Sequence, residues 1–156
     1  SGIVIPGTGI ALQNQGANFT LDETMENCLG PGKKSLHTII PGFLMKDGKA
    51  VGPFGVMGGF MQPQGHVQVI MNTLDFMMNP QETLDAPRWQ WVGGKKIQVE
   101  KTFPAEIVEE LKRRGHEMEV LESSLTFGRG QIIWRDENGV LCGATEPRAD
   151  GAVAVW

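Results

Sequence analysis

Two consecutive glycines, Gly58 and Gly59, close an apolar run that begins at Lys49, and a helical pattern opens just after them near Gln62-Pro63. A glycine pair admits backbone conformations closed to other residues and leaves no side chain to block a ligand. Two adjacent N–H groups left free at a strand end can point at one developing negative charge. On spacing alone, a tight strand-to-helix turn is the plainer account.

A second group of candidates precedes it. Gln13-Asn14-Gln15-Gly16-Ala17-Asn18-Phe19 is a polar tract rich in amides. Amide side chains both donate and accept, so the tract can grip a polar ligand, or equally form a solvated loop of Asx turns. His37 and Thr38 then open an apolar, β-branched run that meets an Asp47-Gly48 hairpin signal, from which the run starting at Lys49 returns. This pattern predicts a β-hairpin over 37–57. The start of one arm lies beside the end of the other, which brings His37 and Thr38 to the sheet edge where Gly58-Gly59 end the second arm.

The other reactive residues form no such pattern. Cys28 and Cys142 make no C-x-x-C motif and are expected to be free or buried thiols. His37, His66 and His116 have no metal-ligand spacing, so no metal or cofactor is expected. The formal net charge of −4 gives no nucleic-acid surface, and no apolar run is long enough to span a bilayer. With 156 residues the chain is read as a single domain over 1–156. Its 21 glycines and 9 prolines favour short strands and tight turns over a bundle. It starts inside an apparent strand, without an initiator Met or a signal-peptide pattern, and so reads as a piece of something larger.

The elements that must position these residues follow from periodicity. Two short apolar runs, Ile3-Val4-Ile5 and Ile10-Ala11-Leu12, flank a turn. Apolar residues at helical spacing predict a helix over 63–78, covered on more than one side. Asn79 caps a short second helix over 80–85, with Pro80 at its first position. A strand is predicted over 96–100, a helix over 103–114 capped by Gly115, a solvent-facing His116 and a strand over 117–121. A hairpin joins 130–134 to 140–144 through Asn138-Gly139, and 153–156 is read as a terminal strand. Antiparallel strands with helices grouped between them indicate an α+β layered domain.

In this order and spacing the residues resemble the small subunit of the gamma-glutamyltranspeptidase family, which includes the related cephalosporin acylases. The resemblance runs over essentially the whole chain. It rests on Ser1-Gly-Ile-Val4, Gly9-Ile-Ala-Leu-Gln-Asn-Gln15, Pro31-Gly-Lys-Lys-Ser-Leu36, Met45-Lys-Asp-Gly-Lys49, Gly58-Gly59, Ala86-Pro-Arg88 and Gly143-Ala-Thr-Glu-Pro-Arg148.

The resemblance implies part of a four-layer αββα N-terminal-nucleophile hydrolase fold shared between two subunits cut from one precursor. It further implies attack on a gamma-glutamyl or related acyl amide by the freed N-terminal Thr of the small subunit, which falls upstream of Ser1. Gly58 and Gly59 look like the family's oxyanion pair, and Gln15 falls where the glutamyl α-amino end is gripped. Asn18 replaces an Asp that pairs with that ammonium. His37 and Thr38 replace two serines that hold the α-carboxylate, and only Thr38 keeps the hydroxyl. Met57 and Phe60 replace a Pro and a Ser around the glycine pair. The implied partners are the large subunit of the same precursor or a second copy of this chain, together with a small acyl-amide substrate. Alone, the chain is expected to be inactive and to expose one sheet face. The alternative is an inactive family member that keeps the fold as a binding or structural module.

Overall fold

A computed structural model describes residues 2–155; Ser1 and Trp156, the outermost residues of the two expected terminal strands, lie outside the described residues. The chain divides into two compact units, one ending at Thr38 and the other beginning at Ile39.

The first unit is held by turns. Ile3 and Leu12, and Ile5 and Ile10, pair around the expected turn through Leu12 N to Ile3 O at 2.8 Å and Ile5 N to Ile10 O at 2.9 Å. Only the Val4↔Ala11 pair between them is a ladder bridge. The amide tract contains a short 3₁₀ turn, Gln15–Asn18. A parallel bridge, Thr20↔Cys28, closes the loop beyond it.

The second unit contains two sheets. In the first, β1 (Gly42–Lys46) and β2 (Lys49–Met57) form the hairpin around Asp47 and Gly48, whose φ angles of 50° and 74° suit a tight primed turn. β6 (Arg129–Arg135) and β7 (Leu141–Thr145) complete the antiparallel order β1-β2-β6-β7. The hairpin is shorter than predicted. Its ladder ends at Gly42↔Phe54. The preceding Pro41 has no N–H to give it, so His37 and Thr38 stay outside the strand.

α1 (Gln62–Leu74) and α2 (Pro80–Asp85) pack on one face of this sheet, where Val69 and Leu84 meet Val56, Ile132, Trp134 and Ala144. α2 starts as expected: Asn79 and Glu82 form a full capping box behind Pro80. α1 stops short of Met78. Pro80 forces Asn79 into an extended conformation, ψ 165°, and Met77 turns left-handed at φ 54°. Nor is α1 covered all round, since Val67, Met71 and Leu74 are exposed. The opposite face of the sheet also presents apolar side chains, among them Phe43, Met57, Ile133 and Leu141. Residues 150–155 form no strand; Val153 lies over Gly143 of β7 instead, leaving no room for a side chain there.

The second sheet has the order β3-β4-β5, with β3 (Trp89–Gly93), β4 (Lys96–Glu100) and β5 (Glu117–Leu121). β3 is absent from the sequence reading. Its signal is the aromatic run after Pro87 and the Gly93-Gly94 turn, with φ 142° and 52°. β4 and β5 run parallel, joined by α3 (Ala105–Arg113). Among the paired strands of the two sheets, this parallel pair is the departure from the antiparallel pattern. His116, just beyond α3, is half-buried rather than solvent-facing.

Two glutamines of α1 bind the free edge of β3. Gln68 donates to Trp89 O at 2.8 Å and accepts from Trp89 N at 3.2 Å. Gln64 donates to Trp91 O at 3.1 Å and accepts from Trp91 N at 2.7 Å. Helical i,i+4 spacing thus matches strand i,i+2 spacing, and each carboxamide acts as one strand residue.

A buried ion cluster joins the two sheets. Arg88 Nη2 meets Glu146 Oε2 at 2.7 Å, with both side chains almost fully buried. Arg148 grips Glu100 through Nε at 2.6 Å and Nη2 at 2.5 Å, and Glu146 through Nη1 at 2.7 Å. It also donates to Leu84 O and Ala86 O at the end of α2. Two cations and two anions cancel, and their polar atoms are satisfied by the backbone, which limits the desolvation cost. Burial alone would raise the Glu146 carboxyl. The Arg88 charge, the Arg148 hydrogen bond and the Gly130 amide outweigh it and hold the carboxyl below its ordinary value of 4.5.

Because the folded Glu146 pKa lies below the unfolded one, its contribution is complete above about pH 4.5 and is lost as pH falls through the folded value. Glu146→Gln should cost about 3–5 kcal/mol at neutral pH, by leaving buried Arg88 without its counter-charge. It should also flatten the acid side of the stability profile. Urea melts from pH 3 to 7 check both, and an unchanged acid limb would count against the cluster. Gln68→Ala, which strips both partners from a half-buried Trp89 backbone, should destabilise by about 1–3 kcal/mol and by more than Gln64→Ala at the exposed end. The reverse ranking in the same melts would refute the edge pairing.

Candidate functional site

β2 ends at Met57, paired with Arg129. Gly58 follows with φ 162° and ψ 27°, and Gly59–Met61 form a 3₁₀ turn that runs directly into α1. Met61 N donates back to Gly58 O at 3.3 Å. No acceptor among the described residues takes the N–H of Gly58 or of Gly59. Both donors therefore sit free where a strand turns into a helix N-terminus, whose dipole also favours negative charge. The two glycines are required for different reasons. A Cβ at Gly58 would meet Gly128 Cα at 2.9 Å. Gly59 has open space around it but holds φ 63°, a left-handed conformation that disfavours a side chain.

Met57 also borders a cleft of about 430 Å³ lined mainly by apolar groups, including Ile39, Pro53, Phe54 and Ile132. Gln62 and His66 supply its polar side. The His66 ring stands 5.3 Å from the Phe54 ring, and its Nδ1 faces Gln62 O at 2.7 Å. A carbonyl oxygen only accepts, so Nδ1 is the donor in that contact.

In the first unit the structure joins three of the four predicted binding residues. Gln15 Nε2 donates to Thr38 Oγ1 at 3.2 Å, and Asn18 Nδ2 donates to Gln15 Oε1 at 2.8 Å. Asn18 Nδ2 also donates to Leu36 O at 3.1 Å, and Asn27 anchors Asn18 from behind through Asn18 O at 2.5 Å. His37 is exposed and stands outside this network. The hairpin argument that set His37 and Thr38 beside the glycine pair does not hold, because β1 begins only at Gly42. Gln15, Asn18, His37 and Thr38 belong to one compact unit, and Gly58 and Gly59 to the other.

The residues that sequence reasoning missed are Arg88, Glu100, Glu146 and Arg148. Ala86-Pro-Arg88 and Glu146-Pro-Arg148 stood out as family-like strings, but no role could be read from them. The available signal was a Pro beside a charged residue, at Pro87-Arg88 and Glu146-Pro147-Arg148; Glu100, at the end of β4, carried none. Both cysteines are free, with Cys142 exposed. Among the described residues no group of three or more His, Cys, Asp or Glu could hold a metal ion. No described helix is long and apolar enough to cross a membrane.

A family model described as gamma-glutamyltranspeptidase matches residues 1–156. A glutathione hydrolase-like proenzyme, YwrD, of Bacillus subtilis is 38% identical over 97% of the chain. An oxamate amidohydrolase proenzyme of Klebsiella pneumoniae is 36% identical over 99% of it. The chain spans about 30% of the length of each of these relatives. The crystal structure of a cephalosporin acylase from Bacillus halodurans is 64% identical, with a TM-score of 0.91 over 99% of this chain and 29% of that one. A gamma-glutamyltranspeptidase structure from Pseudomonas nitroreducens, 24% identical, shares the fold with a TM-score of 0.85 and is covered over 86% of its chain. The α+β architecture is thus part of the N-terminal-nucleophile hydrolase fold. With a family model that spans all of its residues, this chain belongs to the gamma-glutamyltranspeptidase family.

Proposed function

We propose that this chain is the small-subunit portion of an amide hydrolase or acyltransferase whose oxyanion hole is the Gly58–Gly59 donor pair. The observation that carries the reading is the pair of adjacent, unclaimed N–H groups at the strand-to-helix junction. Its relatives, a glutathione hydrolase-like proenzyme, an oxamate amidohydrolase proenzyme and an acylase proenzyme, support that class of reaction.

In this reading a Thr upstream of Ser1 becomes the N-terminal residue when the precursor cuts itself. Its hydroxyl attacks the substrate carbonyl carbon, and its own α-amine takes the hydroxyl proton. The carbonyl oxygen becomes an oxyanion held by the Gly58 and Gly59 amides. Collapse breaks the C–N bond, and the departing amine takes up the proton. Water or an acceptor amine then attacks the acyl-enzyme and regenerates the hydroxyl.

Gln15, Asn18, His37 and Thr38 are read as the residues that select the acyl group. Asn18 carries no charge and already spends its N–H groups on Gln15 and Leu36. A neutral amide binds an ammonium less tightly than a carboxylate does. That favours an acyl group without the glutamyl amine, such as glutaryl. The apolar face of the first sheet, with Phe43, Met57, Ile133 and Leu141 exposed, is the surface for the large subunit of the same precursor.

The full-length precursor should cut itself immediately before a Thr upstream of Ser1 and release anilide from glutaryl or gamma-glutamyl anilides. No cleavage and no release from either substrate would sink the enzyme reading. Gly59→Ala should lower kcat by roughly tenfold or more, because it strains one of two donors to the oxyanion. The double change Asn18→Asp with His37→Ser should raise gamma-glutamyl over glutaryl turnover. An unchanged ratio would remove these positions from acyl-group selection.

A further inference from the structure

The two oxyanion donors need a fixed height relative to the attacked carbonyl, and Gly58 does not supply it alone. It rests on Gly128, whose Cα would lie 2.9 Å from any Cβ at Gly58. The fit is mutual, since a Cβ at Gly128 would meet Met57 O at 2.7 Å. Arg129 Nη1 donates to Gly128 O at 3.1 Å from the part-exposed side, and the buried Arg88 guanidinium ties the same carbonyl to its neighbours. Arg88 Nη1 donates to Phe127 O at 3.0 Å and Gly128 O at 3.2 Å, while Nη2 is tied to Glu146 Oε2 at 2.7 Å. The same Glu146 oxygen accepts the Gly130 amide at 2.5 Å. The segment behind the donor pair is therefore gripped by two carbonyls and an amide. Arg88 is itself fixed from below, because its own N–H donates to Glu100 Oε2 at 2.7 Å.

We propose that Arg88, oriented by Glu146, is a positioning residue for the Gly58–Gly59 donor pair, acting through Gly128. The proposal rests on the oxyanion reading above and adds to it the part that sets the donors' place. Arg88 touches no substrate; it fixes the backbone on which Gly58 rests. Only a planar fork serves two carbonyls and a carboxylate together. Lysine keeps the charge and loses that geometry.

The test uses the full-length protein carrying Arg88→Lys, Glu146→Gln, Gly59→Ala or Val108→Ala. Val108 is the buried residue of α3, an element that contributes no member to the cluster, and its truncation reports the effect of lost stability alone. For each protein, kcat and KM on glutaryl and gamma-glutamyl anilides are measured beside the melting temperature. Arg88→Lys should lower kcat by roughly tenfold to a hundredfold, as small misplacements of a donor do. KM should stay within about twofold, because the donors act on the transition state. Val108→Ala should lower the melting temperature and leave kcat at the wild-type value. If Arg88→Lys keeps wild-type kcat, the proposal is overturned. Should that variant fail to fold or mature, Glu146→Gln, of the same size and with one acceptor left, decides by the same comparison. Gly59→Ala separates the two levels. Unchanged kcat there defeats the oxyanion reading and this proposal with it, whereas reduced kcat there with normal Arg88→Lys and Glu146→Gln defeats only the positioning role.

Discussion

The buried cluster of Arg88, Glu100, Glu146 and Arg148 is the constraint on which the larger unit depends. It sits where α2 ends, β3 begins, β4 ends and β7 ends, and its hydrogen bonds reach Leu84, Ala86, Phe127, Gly128 and Gly130. A hydrophobic junction could join two sheets, but it could not fix the register of this many backbone groups. Hydrogen bonds to charged groups are directional, and each one broken leaves a buried charge unpaired. Gly130 shows how closely the cluster is fitted. A side chain there would meet Leu84 at 2.5 Å, Arg88 at 3.1 Å and Glu146 at 3.2 Å.

The glutamines of α1 make a second junction of the same kind. Gln64 and Gln68 occupy the edge of β3, so the second sheet is bound to the helix that begins at the glycine pair. This also covers part of a strand edge that would otherwise invite pairing with another chain. Between them, the cluster and the glutamines hold both ends of the β2–α1 junction. For the oxyanion role proposed above, donors must not move when charge develops, and a junction clamped from two sides meets that need.

The amide network of the first unit has a different character. Gln15, Asn18 and Thr38 are tied by neutral hydrogen bonds on a loop with no buried apolar residue in its 3₁₀ turn. Such a network is adaptable, because a carboxamide can exchange donor for acceptor by turning over. The rigid part of the chain thus carries the groups read as handling the oxyanion, and the adaptable part carries those read as choosing the acyl group.

Local chemistry made much of this legible from the sequence. Asp47-Gly48 and Asn138-Gly139 set two hairpins, Asn79-Pro80 with Glu82 set α2, and helical spacing set α3, because each depends on neighbours within a few residues. The family-like strings pointed to the same fold and to the glycine pair. The tertiary structure decided the rest. It left His37 outside the amide network. It placed β4 and β5 in parallel, and it gathered four charges from distant points of the chain into one cluster. Those features depend on contacts between residues far apart in sequence, where burial and shared hydrogen bonds outweigh any local preference. Arg88 shows the difference: its sequence neighbours give only a charged residue after a Pro, and its partners Phe127, Gly128 and Glu146 are brought to it by the fold alone.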